Sequence, residues 1–187
     1  MSHDYSLQQA DIDLLRQAGV SQPDIDHSTK VANKALEIAR RTHADLDMEL
    51  VGRGGLLHDL GKAKTHDIVH GQIGAEMGVG LGLPVEVTAI MEKHIRGGLT
   101  ADEATELGLP VKDYTLHRLE ERIVIYADRL VDIITDGIVT LRTESESESR
   151  FEEILRTYPK YGKNETTMNR YLGYHREIQA LMKRHEV

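Results

Sequence analysis

Apolar side chains recur every three or four residues along most of this chain, which is the spacing of one face of an α-helix. No segment shows the alternating pattern, rich in Val, Ile, Thr and aromatic residues, that predicts a strand. Ser21, with Asp24 three residues later, resembles a capping box that starts a helix. The pattern therefore predicts an all-α protein, with helices over residues 7–18, 21–42, 48–60, 70–79, 84–97, 100–107, 116–136 and 168–181.

Two segments depart from the regular helices. Residues 97–115 form a long excursion that contains the short helix 100–107, and we expect this excursion to help select a substrate, although many such loops are only connectors. The Glu-Ser alternation at 144–149 predicts a solvated loop or helix surface without a function.

Chain length bounds the domain organisation. The 187 residues are enough for one domain with a buried core. We expect a single domain over residues 1–187, with a core over about 21–137 and a C-terminal amphipathic helical extension over about 142–185.

Composition limits the classes of function. The chain has no Cys, which excludes disulfides, thiolate catalysis and Cys-based zinc sites. No apolar run approaches the roughly 18 residues that can span a membrane, so we expect a cytoplasmic protein without a membrane partner. The formal net charge of −8, with no Lys or Arg run, disfavours long nucleic acids but allows a small phosphorylated substrate.

Metal-ligand side chains are concentrated at His58-Asp59, which ends an apolar segment just before a glycine. Charged groups in such a place are costly unless they are compensated. Four more residues of this type lie on apolar helical faces, namely His27, His70, His94 and Asp128. A single such histidine is usually a satisfied core residue, as we expect for His175, but a buried aspartate needs a cation or several donors. One shared metal centre explains all six residues more simply than six coincidences.

The ordered set also resembles a known family. His27, the doublet in Leu-Leu-His-Asp-Leu-Gly-Lys and Asp128 in Tyr-Ala-Asp-Arg-Leu-Val-Asp resemble the H…HD…D signature of the HD superfamily of metal-dependent phosphohydrolases. With Leu60 in place of the usual isoleucine, the doublet is similar to that of the HDIG subgroup. This subgroup includes small archaeal and bacterial proteins related to the HD domain of ribonuclease Y. The resemblance covers about residues 21–137 and implies a compact HD-domain helical bundle.

The resemblance implies a site for one or two divalent metal ions. The implied ligands are His27, His58, Asp59 and Asp128 for a first ion, and His70 and His94, with Asp59 as a bridge, for a second. Many dinuclear relatives carry paired histidines near the fifth helix, whereas Ile95 follows His94 in this chain, so the number of ions stays open. Imidazole and carboxylate ligands suit Mn, Fe, Co, Ni or Zn, with Mg as a further candidate.

The resemblance and the ligand chemistry together predict a phosphohydrolase or phosphodiesterase. It would hydrolyse a phosphoester of a nucleotide or another small phosphorylated compound with metal-activated water. We predict Asp59 and Lys62 as catalytic residues, and Lys62 and Arg96 as cations that bind the substrate.

Several alternatives stay open. Asp132 lies one helical turn beyond Asp128. It either orients a metal ligand or a water, or is a carboxylate on the helix surface. His66 either supports the site or lies in a loop. An HD-fold diiron oxygenase with the same ligand set, and a metal-sensing or binding module without turnover, are the alternative functions. A homo-oligomer is compatible with the sequence.

Overall fold

The computed structural model describes residues 4–184, and every regular element within them is helical, as the apolar pattern predicts. In chain order the α-helices are α1 (Gln9–Ala18), α2 (Gln22–Thr42), α3 (Met48–Leu57), α4 (His70–Gly80), α5 (Val85–Lys93), α6 (Ala101–Glu106), α7 (Leu119–Thr135), α8 (Glu146–Ser149), α9 (Phe151–Thr157), α10 (Pro159–Gly162) and α11 (Glu165–Lys183). Two 3₁₀ turns, Leu60–Ala63 and Ile95–Gly97, follow α3 and α5. None of the described helices is long and apolar enough to cross a membrane.

Helices α2, α3 and α7 pack against one another at the centre of the fold. Their shared core consists of fully buried apolar residues, among them Val31, Ala35 and Ile38 of α2, Val51 of α3, and Ile123, Val124 and Leu130 of α7. Gly55 lets the backbones of α2 and α3 come close, because a Cβ atom there would lie 2.7 Å from the Cα of Ala32. This close packing holds the C-terminal end of α3 against the first half of α2.

Helix α3 ends earlier than the sequence pattern predicts. The pattern extends it over residues 48–60, but the helix ends at Leu57 with His58 as its C-terminal cap. Gly61 explains the difference, since a Cβ atom there would lie 1.9 Å from the carbonyl oxygen of His70. The backbone that follows α3 packs directly on the start of α4, and this tertiary contact replaces the last predicted helical turn.

The predicted excursion at 97–115 is a folded segment with its own small core. Thr100 and Glu103 form a capping box that starts α6. The apolar side chains that pack together there are Ile95, Leu99, Ala104, Leu109 and Tyr114. The prediction for 100–107 is therefore correct to within one residue at each end, since α6 covers Ala101–Glu106.

The segment after α7 differs most from the sequence analysis. Residues 144–149 are not simply solvated, because Ser147 in α8 is buried and Glu148 accepts hydrogen bonds from Arg41 at 2.7 and 3.1 Å. Helices α9 and α10 were not predicted. Helix α11 packs on α7, α2 and α9. His175 of α11 lies against Phe151 and bonds the hydroxyl of Tyr126 at 2.6 Å, as expected for a packed histidine.

We predict that Gly55→Ala lowers the free energy of unfolding by about 1–3 kcal/mol, because the new methyl group must push the backbones of α2 and α3 apart. Gly173→Ala is the matched control, since a Cβ atom at this exposed position in α11 meets nothing within 4 Å. The control should raise stability by about 0.5–1 kcal/mol through its effect on helix formation. Urea denaturation of the two variants measures both effects, and equal changes would contradict the close packing.

Candidate metal centre

The structure brings the predicted ligand residues into one cluster, although they come from separate elements. They are His27 on α2, His58 and Asp59 at the end of α3, His70 at the start of α4, His94 after α5, and Asp128 on α7. Their possible ligand atoms form three groups, each within 4.8 Å: His27 with His58 and Asp59, Asp59 with His70 and His94, and His27 with Asp128 and Asp132. Asp59 belongs to two of these groups, which is the position that a bridging carboxylate needs.

The cluster has a buried part and an open part. His58 is 1% exposed and Asp59 is 3% exposed, and His70 and His94 are also buried. The side chain of His27 is 21% exposed. Its Nε2 lies 2.9 Å from Oδ1 of Asp128. The buried histidines therefore form the floor of the site, and the pair from α2 and α7 lies closer to solvent.

Backbone carbonyls set the orientation of the three buried histidines. The Nδ1–H of His58, His70 and His94 each donates to the carbonyl oxygen three residues earlier in the chain, at 2.7 to 2.8 Å. Because the neutral imidazole carries one proton, this bond assigns the lone pair to Nε2 in each ring. Metal-binding histidines are commonly oriented in this way.

The three Nε2 atoms face one another and the carboxylate of Asp59. Nε2 of His70 lies 2.9 Å from Nε2 of His94, and both lie within 3.2 Å of Oδ1 of Asp59. Nε2 of His58 is buried, has no hydrogen-bond partner among the described residues, and lies 3.3 Å from the other oxygen of Asp59. Lone pairs this close repel one another unless a proton or a metal cation lies between them. The residues present therefore fit a divalent metal ion with nitrogen and oxygen ligands.

The electrostatics of the cluster favour positive charge. Protons on Nε2 can take the place of such a cation: burial alone would raise the pKa of Asp59, but the charge of protonated His58 and hydrogen bonds from the histidines then hold it well below its usual range. Burial alone would lower the pKa of His58, but Asp59 and Asp128 raise it well above its usual value. Burial lowers the pKa of His94, which keeps this ring neutral.

Asp132 lies in the same pocket rather than on the outer surface of α7. Its Oδ1 is 3.9 Å from Nδ1 of His27, and its other oxygen is 3.7 Å from Arg129. Burial, followed by the charge of Asp128, raises the pKa of Asp132 to about 7. His66 lies outside the cluster, because its side chain is 66% exposed and bonds Asp24 at 2.9 Å.

A pocket of about 250 Å³ opens from the cluster and is rich in cations. The predicted substrate-binding residues Lys62 and Arg96 both line it. Nζ of Lys62 lies 2.7 Å from Oδ2 of Asp59. Arg129 and Lys163 also line the pocket and were not predicted.

The sequence held only a weak signal for these two cations. Arg129 follows Asp128 directly, so it comes from the same turn of α7, but an arginine beside an aspartate is common on helix surfaces. Lys163 comes from the connection between α10 and α11, and only the packing of the C-terminal helices carries it to the pocket. No spacing rule relates position 163 to the other site residues.

Comparisons with known proteins identify the family of this chain. A sequence model of the HD domain family matches residues 24–132. An uncharacterized protein of Methanocaldococcus jannaschii is 38% identical over 167 residues, which cover 87% of this chain and 92% of that protein.

Two further relatives are much longer than this chain. A tRNA (cytidine(56)-2'-O)-methyltransferase of Thermoplasma volcanium is 40% identical over 123 residues, which cover 66% of this chain but only 36% of that enzyme. A ribonuclease Y of Pseudothermotoga lettingae is 46% identical over 55 residues, or 28% of this chain and 10% of that enzyme.

A solved structure has the same fold. The HD domain of the L. monocytogenes phosphodiesterase PgpH, in complex with cyclic-di-AMP, aligns with a TM-score of 0.58 at 18% identity. The alignment covers 94% of this chain and 98% of that one. At this identity, the likeness establishes the helical fold alone.

We predict that adding a divalent transition metal raises the melting temperature of protein from which a chelator has removed any bound metal. A ligand at a hundred times its Kd stabilises by about 2.7 kcal/mol. His94→Ala should weaken this gain and lower the metal content, because it removes one of three converging Nε2 atoms. His66→Ala is the control and should change neither quantity. Thermal denaturation and elemental analysis test this, and unchanged metal content in His94→Ala would contradict the assignment.

Proposed function

This chain belongs to the HD domain family of metal-dependent phosphohydrolases, and we propose that it hydrolyses a phosphoester of a nucleotide or a similarly small phosphorylated compound. One observation supports this proposal most strongly. The cluster around Asp59 combines histidine nitrogens that need a cation with a pocket lined by Lys and Arg side chains. Such a pocket suits a substrate that brings negative charge to a metal.

The size and charge of the molecule favour a small substrate. Pockets for drug-sized ligands measure about 300–1,000 Å³, and this pocket measures about 250 Å³. The formal net charge of −8 opposes the approach of a long polyanion, whereas the local cations attract a small one. The names of the relatives include enzymes that act on RNA and a phosphodiesterase associated with a cyclic dinucleotide. We propose that the substrate of this chain is a small nucleotide rather than RNA.

The proposed metal ligands are the six clustered residues His27, His58, Asp59, His70, His94 and Asp128. A divalent ion held by these residues would supply a water of lowered pKa and would neutralise charge on the phosphoryl oxygens. The carbonyls bonded to Nδ1 keep the buried rings fixed, so that no reorientation is needed when substrate binds.

Lys62 has a separate role in this proposal. Burial alone would lower the pKa of Lys62, but the charge of Asp59 raises it, so that the side chain stays cationic beside the cluster. Its ammonium group fixes one oxygen of Asp59 at 2.7 Å and can donate a second hydrogen bond to a substrate phosphate.

Elemental analysis combined with a panel of phosphoesters tests the proposed function. The panel contains nucleoside monophosphates, cyclic mononucleotides, cyclic-di-AMP and a short RNA, each with added Mn, Co, Ni or Mg. We expect phosphate or nucleotide release from a small member, and Asp59→Ala should abolish it while the helical circular dichroism is kept. If Asp59→Ala keeps both its metal and its turnover, the proposal is wrong. Preferred cleavage of the RNA would refute the substrate class, and a strict need for oxygen would favour the oxygenase alternative.

We predict that Lys62→Gln lowers kcat by about 10²-fold, as is typical when one donor to a developing charge is removed. Its metal content should stay close to that of the wild type. Lys64→Gln is the matched control, because Lys64 is exposed two residues further along the same turn and does not line the pocket. Steady-state kinetics compare the two variants, and equal rates would remove Lys62 from the catalytic residues.

A further inference from the structure

Two of the cationic residues that line the pocket have a backbone φ in the left-handed region. Arg96 has φ of 50° and Lys163 has φ of 63°, and across residues 4–184 the third non-glycine residue with positive φ is His43. Such conformations are strained for residues other than glycine and persist when the surrounding structure fixes them. Two of these three residues line the pocket beside the candidate metal centre.

The turn that carries Arg96 is fixed by α11. Arg170 donates to the carbonyl oxygen of Arg96 at 3.0 Å, and the hydroxyl of Tyr174 donates to that of Gly97 at 2.7 Å. The ring of Tyr171 packs closely on this turn, since a Cβ atom at Gly97 would lie 3.1 Å from it. Three side chains from the C-terminal extension therefore hold Arg96 in its strained conformation.

The turn that carries Lys163 is fixed on both sides. Gly162 packs on the carbonyl oxygen of Leu155, where a Cβ atom would come within 2.3 Å. Asn164 caps α11 by accepting a hydrogen bond from the backbone N–H of Thr167 at 2.8 Å. Lys163 therefore cannot relax its backbone without disturbing either the packing of α10 or the start of α11.

No carboxylate among residues 4–184 forms an ion pair with the side chain of Arg96 or Lys163. Among residues 4–184, neither side chain has an ion pair or a hydrogen bond, whereas Lys62 contacts Asp59 and Arg129 contacts the hydroxyl of Tyr171 at 3.1 Å. Burial, then the charges of Arg129 and Arg96, lower the pKa of Lys163, and Asp132 offsets this only in part. An anion placed between these cations relieves their mutual repulsion.

We propose that Arg96 and Lys163 form a second anion site, which binds a negatively charged group of the substrate other than the phosphoester that is hydrolysed. The inference rests on the proposed function and narrows its substrate to nucleotides with two separate phosphate groups. The phosphoester itself lies beside Lys62 and Asp59. Lys62 comes from the turn after α3, whereas Arg96 comes from the turn after α5 and Lys163 from the connection between α10 and α11, so the second site is built from different segments of the pocket lining.

Isothermal titration calorimetry on the metal-loaded 187-residue protein tests the proposal, with 5′-AMP and adenosine 3′,5′-bisphosphate as probes. Chromatography of the cell contents reports whether a probe was hydrolysed, in which case KM replaces Kd. We expect the wild type to bind the bisphosphate about tenfold more tightly, which corresponds to about 1.4 kcal/mol. Lys163→Gln should remove most of this preference and change the affinity for 5′-AMP less than about twofold, the small effect expected for an exposed charge. Arg96→Gln should also remove most of the preference.

The control is Lys160→Gln, which makes the same charge change on α10, three residues away and outside the pocket lining. It should keep the preference for the bisphosphate. Arg96→Gly and Lys163→Gly provide a second test, because glycine adopts positive φ without strain. These variants should lose the preference while their melting temperature stays equal to that of the wild type or rises.

Three results would overturn the second anion site. They are equal affinity of the wild type for both probes, unchanged preference in the Arg96 and Lys163 variants, and equal weakening of both probes, which would place these cations at the hydrolysed phosphoester. Failure of the proposed function is a different observation, namely the absence of hydrolysis across the phosphoester panel. The ratio of the affinities for the bisphosphate and for 5′-AMP reports on the second site whether or not the protein hydrolyses a member of the panel.

Discussion

The site depends on where three helices begin and end. The last carbonyls of a helix have no partner within it, and two of the histidines in the cluster use such groups. His58 follows α3 and bonds the carbonyl of Gly55, while His94 follows α5 and bonds that of Met91. His70 begins α4 and bonds the carbonyl of Asp67 just before it. One hydrogen bond in each case satisfies a backbone group and turns the opposite nitrogen toward Asp59.

This constraint explains what could be predicted from the sequence. Helical spacing placed His27 and Asp128 on inward faces, and both lie at the pocket. The doublet was recognisable because a histidine and an aspartate end an apolar segment. The end of α3 at Leu57 was not predictable from periodicity, since it follows from the contact of Gly61 with the start of α4. Contacts between distant segments leave no local pattern in the sequence.

The C-terminal extension shows the same limit. Its amphipathic pattern predicted a helix that packs on the bundle, and α11 does so. Which wall of the pocket it supports depends on three-dimensional packing, and the contacts of Tyr171 with Arg129 and Gly97 could not be inferred from spacing. The extension therefore shapes the pocket as well as covering the core. The cations were the least predictable part of the site, because exposed Lys and Arg residues occur throughout the sequence.

The pairing of His27 with Asp128 has a consequence for how the protein is made. These residues are 101 positions apart, yet their side chains lie 2.9 Å from each other. Contacts of such large sequence separation form slowly, because a long loop must close before they contribute. During synthesis from the N-terminus, the histidines of α2 to α5 emerge before their partner on α7 exists. The cluster is therefore completed only after α7 has left the ribosome, and Lys163 reaches the pocket later still.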